Sequence, residues 1–177
     1  MLKNIDTFTK GVFVLSHIYS PWRSGYFSSD CSEECVFCDI ANNPHNDTKN
    51  HVFYRDSICF GVMNLYPYMP GHFMLIPHKH IDTPTLLSQE EWQHLHTLSQ
   101  KSIAMLEEYG ASGINMGINI KKAAGAGIPE HLHLHFVPRF IGDTNFITTI
   151  ANSRVYGVDF DSIYDKISCL AKKHLYN

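Results

Sequence analysis

With 177 residues, 44% hydrophobic and 18% charged, the chain is long enough to bury one core without disulfide staples and too apolar for a disordered polymer. A formal charge of −3 supplies no global field for nucleic acid, which excludes duplex DNA as the main partner while leaving room for a local basic site that holds phosphates. The apolar stretch near the start, "GVFVL", is far shorter than the ~20 residues of a membrane span and lacks a secretory cleavage pattern, so a cytoplasmic protein without a membrane partner is expected.

Residues 1–34 include "YSPWRSGYFSSD", where Pro, Ser and Gly alternate with aromatics, and read as an irregular arm packed on the body. "CVFCDI" follows at 35–40, then a turn-rich loop over 41–50. "HVFYRDSICFGVMN" reads as two strands around an Asp-Ser turn, and "GHFMLIPHKH" as a third strand ended by Pro77, together an antiparallel meander. A long helix starts at Ser88, with Glu91 completing a capping box. Trp92, Leu95, Leu98, Ser102 or Ile103, and Leu106 follow at helical spacing, and Gly110 stops it. The strand "GINMGINI" then leads through a Lys-Gly-Ala loop to "EHLHLHFVPRF", and a last helix runs from about Asp161 to His174. The expected units are an arm over 1–34, a domain over 35–142 and a helical extension over 143–177.

Five cysteines without a secretion signal argue against a disulfide framework. Cys59 and Cys169 stand alone and are expected to be buried as small apolar residues. Cys31, Cys35 and Cys38 cluster. The Cys35-x-x-Cys38 spacing suits either two thiolates of a tetrahedral zinc site or a redox pair.

In "EHLHLHFVPRF" the alternation puts His131, His133 and His135 on one side of a strand, with neighbours ~6.6–6.8 Å apart and Leu132, Leu134 and Phe136 on the core side. A solvent-facing polar row, a metal cluster and a catalytic centre all fit that pattern. Histidines this far apart share one metal only by strong convergence, so one of them joining the cysteines would leave two for chemistry. The preceding "KKAAGAGIPEH" can bring backbone N–H groups from Gly125, Ala126, Gly127 or Ile128 close to an anion, with Lys121 and Lys122 adding charge; Pro129 has no N–H to give.

"HLHLHFV" resembles the signature of the histidine triad superfamily of nucleotide hydrolases and transferases, His-x-His-x-His followed by two apolar residues. The likeness extends through "NLYPYMPGHFMLIPHKH", "GINIKKAAGAGIPEH" and "PRFIGDTNF", roughly residues 35–150. "PWRSGYF" and "AGAGIPEHLHLHFVPR" look most like the branch that includes diadenosine tetraphosphate phosphorylases. The resemblance implies an α+β fold with a five-stranded antiparallel sheet, one long helix and a C-terminal helix, paired as a homodimer. It implies an adenine nucleotide or dinucleoside polyphosphate as substrate.

By position in that motif, His133 would attack the α-phosphorus and form a nucleotidyl-imidazole. Such a role suits a neutral imidazole and divides one hard displacement into two. His135 would contact phosphate oxygens and help the leaving group, and His131 would orient His133 or serve zinc. The resemblance also implies Asn64 at the ribose hydroxyls, Asn119 at phosphate, and Val36, Phe37, Ile40 and Leu65 as a slot for the base, the last four being equally readable as core. Zinc-bearing relatives imply Cys35, Cys38, His80 and His131 as the metal set, with His78 and Cys31 as spares. Two departures bear on substrate choice: the branch's Asn-x-Gly reads Asn119-Ile120-Lys121, and the Gln-Ser of the small relatives is absent from the loop. Two other activities fit these residues, a phosphoramidate or adenylate hydrolase and a nucleotide-binding module with little turnover.

Overall fold

The computed structural model describes residues 35–151 and 157–176. The arm expected over 1–34, and Cys31 within it, lies outside the described residues. The elements are α1 (Val36–Asn42), β1 (Val52–Arg55), β2 (Cys59–Met63), β3 (Phe73–Pro77), α2 (Gln89–Tyr109), β4 (Gly113–Ile118), β5 (Leu134–Arg139), α3 (Phe146–Ala151) and α4 (Phe160–His174). The strands form one antiparallel sheet in the order β1-β2-β3-β5-β4, so the fold is α+β with an open five-stranded sheet.

Strand alternation divides the side chains between two faces. Cys59, Met63, Phe73, Leu75, Leu134 and Phe136 pack against Leu95, Leu98, Met105 and Leu106 of α2 and against Ile163, Ile167 and Ala171 of α4. The C-terminal helix therefore belongs to the same core as the sheet. On the opposite face Phe60, Val62, Met74 and Ile76 meet Phe37 and Ile40 of α1. This smaller layer is where histidines of the chain's sequence motif collect, because His72 has the same parity as Met74, and Met74 pairs with His135.

Helix α2 begins as the sequence dictates. Ser88 accepts from the Glu91 amide, the Glu91 carboxylate accepts from the Ser88 amide, and Gly110 ends the helix with φ 111°. Lys79 reaches the same carboxylate, and these bonds lower the Glu91 pKa to about 2. The Asp-Ser turn is organised by Asp56, whose carboxylate accepts from the Ile58 and Cys59 amides, the Tyr54 hydroxyl and His94. Burial alone would raise the Asp56 pKa, but these donors stabilise the anion and lower it.

Two local expectations need correction. The last strand begins at Leu134, so His131 and His133 precede the ladder rather than standing on one strand face with His135. Cys169 is exposed on α4, although Cys59 is fully buried as expected. His94 sits half-buried at the boundary, where it pairs with Asp56. No helix among the described residues is long and apolar enough to cross a membrane.

Candidate active site

Two groups of side chains meet at the start of β5. The first is built from the N-terminus of α1, the segment after β3 and the residues before β5. It brings one donor atom each from Cys35, Cys38, His80 and His131 within 4.8 Å of one another. Nδ1 of His131 lies 3.3 Å from Cys35 Sγ and 3.6 Å from Cys38 Sγ, and Nδ1 of His80 lies 3.1 Å from Cys38 Sγ.

The other ring nitrogen of His131 fixes its tautomer. Nε2 is 2.9 Å from the Pro77 carbonyl oxygen, which can only accept, so Nε2 carries the proton and Nδ1 turns its lone pair to the thiols. Burial pushes the Cys38 thiol up to about 11, helped by its hydrogen bond with Cys35 and repulsion from it. Two thiols and two imidazole lone pairs at this separation fit a tetrahedral soft-metal site. His78, a spare in the sequence reading, is elsewhere: its Nε2 donates to the Asp56 carbonyl at 2.9 Å. A second convergence of Asp56, Cys59 and His94 is already consumed, since the Asp56 carboxylate serves its four donors.

The second group begins with His133, 4% exposed. Its Nδ1 lies 2.7 Å from the backbone carbonyl of His131 and so donates to it, leaving the lone pair of the neutral ring on Nε2. Burial pulls the His133 pKa below the ordinary imidazole value, and the bond to the carbonyl opposes this without cancelling it. His131 is lowered in the same way, chiefly by burial. Phe37 packs between them, its ring 5.5 Å from that of His131 and 5.4 Å from that of His133. The rings of His133 and His135 meet edge to face at 4.8 Å.

His72 is a member of this group that the sequence reading missed. It is fully buried just before β3, stacks on Tyr68, and accepts the Tyr68 amide at Nδ1. A neutral His72 therefore carries its proton on Nε2, which lies 3.0 Å from Nδ1 of His135. His135 accepts there, and its own proton sits on Nε2. The chain thus presents a basic Nε2 on His133 and a protonated Nε2 on His135.

The remaining sequence candidates surround this centre unevenly. Asn64 is half-buried; its Oδ1 accepts from the Tyr66 amide at 2.9 Å and its Nδ2 lies 3.3 Å from His72 Nε2. Phe37 and Ile40 are buried in the smaller core layer and Ile128 packs against it, whereas Val36 and Leu65 are 49% and 65% exposed. Asn119 lies just past the end of β4, half-buried, and Gly125 and Gly127 are exposed in the following loop. The Gly125 amide is taken by the Lys122 carbonyl at 3.0 Å, which leaves later amides of the loop as candidates for a ligand.

A family model described as "HIT domain" matches residues 45–142. The chain is 34% identical over 151 residues to a protein of Mycobacterium tuberculosis named AP-4-A phosphorylase, spanning 80% of this chain and 76% of that one. It is also 34% identical over 91 residues to the asymmetrical bis(5'-nucleosyl)-tetraphosphatase of Schizosaccharomyces pombe, over about half of each chain. A solved structure of a zinc-bound histidine triad family protein from Mycobacterium smegmatis superposes with a TM-score of 0.65 and 27% identity, covering 81% of this chain and 98% of that one.

Proposed function

This chain belongs to the HIT-domain family, and from that premise we propose that it cleaves dinucleoside polyphosphates at the α-phosphorus of an adenine nucleotide. The observation that carries the reading is the tautomer of His133, whose donated Nδ1 proton leaves Nε2 as a nucleophile. The name of the Mycobacterium tuberculosis relative, AP-4-A phosphorylase, supports the same substrate class.

In the proposed reaction His133 Nε2 bonds to the α-phosphorus while the bond from phosphorus to the bridging oxygen breaks. His135 gives its Nε2 proton or hydrogen bond to the departing nucleotide. His72, through Nδ1 of His135, keeps that proton on the correct nitrogen. Water or inorganic phosphate then attacks the nucleotidyl-imidazole and releases a nucleoside monophosphate or diphosphate. Asn64 is assigned to the ribose, Asn119 with the amides of Gly127 and Ile128 to phosphate, and Val36, Phe37, Ile40 and Leu65 to the base. The exposure of Val36 and Leu65 supports an open slot whose floor is Phe37 and Ile40.

Cys35, Cys38, His80 and His131 are assigned to a structural zinc, on the chemistry of their donor atoms. Held by these four residues, zinc would tie the loop after β3 to α1 and would supply no reacting group. A homodimer is part of the same proposal, supported by the edge position of β4 and its 49% exposed Met116. The catalytic unit is taken as residues 35–142 with 143–177 as an extension.

Product analysis of diadenosine tetraphosphate tests the reaction. ATP and ADP formed only when phosphate is added mean a phosphorylase, and ATP and AMP formed regardless mean a hydrolase. No cleavage under either condition would remove the proposal. The pH profile offers a second check. Because burial lowers the His133 pKa, the ring stays neutral further into acid than a free imidazole. The acid limb of kcat/KM is therefore expected below pH 6.5, the ordinary histidine value, and a limb above it would mean that His133 is not the group titrating.

A further inference from the structure

Lys121 has φ 63° and ψ 175°, a region that glycine occupies freely and a residue with a Cβ enters only under strain. Its surroundings return little of that cost. The side chain is 62% exposed, and its amine meets Asp82 at 3.4 Å, a hydrated pair of small stabilising value.

Its place in the fold is specific. β4 ends at Ile118, opposite Leu134, with Gly117 opposite His135, so the chain leaving β4 runs beside the residues that precede β5. From the other side, the Ile81 carbonyl accepts the Leu132 amide at 2.6 Å, which sets Asp82 next to the residue between His131 and His133. The Lys121–Asp82 pair thus bridges the two segments that flank the histidine stretch, and Lys121 opens the loop leading into it.

We propose that Lys121 is a specificity determinant that binds the phosphates beyond the α-phosphate, its strained backbone holding a cation at the polyphosphate end of the site. This rests on the reading that His133 attacks the α-phosphorus. A dinucleoside tetraphosphate carries anionic groups past the scissile bond, whereas an aryl ester of AMP carries none, so the two substrates isolate the contribution of Lys121.

The test compares Lys121→Gln, Lys121→Arg and Lys121→Gly with wild type on diadenosine tetraphosphate and on the nitrophenyl ester of AMP. Loss of one charge-assisted contact is expected to lower the ratio of kcat/KM between the two substrates about tenfold in the Gln and Gly variants, mainly through KM for the tetraphosphate. The Arg variant is expected to recover most of the ratio. The Gly variant is expected to melt at a higher temperature than wild type while sharing the loss of the Gln variant, which a purely structural lysine would not produce. An unchanged ratio, equal losses on both substrates, or a Gly variant that melts no higher would overturn the proposal. Wild-type protein inactive on both substrates would instead overturn cleavage at the α-phosphorus, and the proposal with it.

Discussion

His133→Asn is expected to reduce turnover by about four to six orders of magnitude while leaving affinity for AMP within a fewfold of wild type. The asparagine amide can reproduce the donation from Nδ1 to the His131 carbonyl, so the buried acceptor keeps its partner and the fold is preserved. What the variant lacks is Nε2, the atom that must bond to phosphorus. Single-turnover kinetics and calorimetric titration with AMP separate the two quantities. Mass spectrometry of quenched wild-type protein should also find one added adenylyl group, absent from the variant. A variant that turns over at the wild-type rate, or a wild type that never carries the adduct, would refute covalent catalysis by this ring.

Cys38→Ser is expected to abolish stoichiometric zinc and to lower the melting temperature by about 10 °C. A ligand that binds only the folded chain adds about 4 kcal/mol when present at a thousand times its dissociation constant, and a chain of this length loses ~2–4 °C per kcal/mol. Chelation of the wild-type protein should give the same shift. Since the metal-free Cys38 thiol is held up to about 11, binding must expel its proton, and zinc affinity should climb as pH rises. Metal analysis, thermal melting and zinc titrations at several pH values test each part. A chelator that removes metal and leaves the melting temperature unchanged would rule out the structural assignment.

Much of the architecture was readable because its signals are local. Ser88, Glu91 and Gly110 each act within a turn of the helix end they define, and the Asp56-Ser57 turn is organised by a side chain bonding amides two and three residues on. The approach of Cys35, Cys38, His80 and His131 came from the family resemblance, since nothing local joins residues so distant in sequence. His72 was missed for the same reason. Its meaning depends on β3 pairing with β5, which sets it on the face of His135, and "PGH" before an apolar strand does not reveal that pairing. Alternation in "HLHLH" holds for Leu134 and His135, which face opposite sides of the sheet, but it assumed a strand that begins only at Leu134. The departure lies where the Cys35 thiol and the Ile81 carbonyl claim the chain instead of the ladder.

Position 131 serves the molecule through two different parts of one residue. Its ring nitrogen faces the thiols, while its main-chain oxygen accepts the hydrogen bond from Nδ1 of His133. Only the first of these is written in the codon. A lineage could exchange the imidazole, abandon the proposed metal and still inherit the acceptor that fixes the tautomer of the proposed nucleophile, because every amino acid brings the same carbonyl. The two duties can therefore diverge under mutation even though they occupy a single residue.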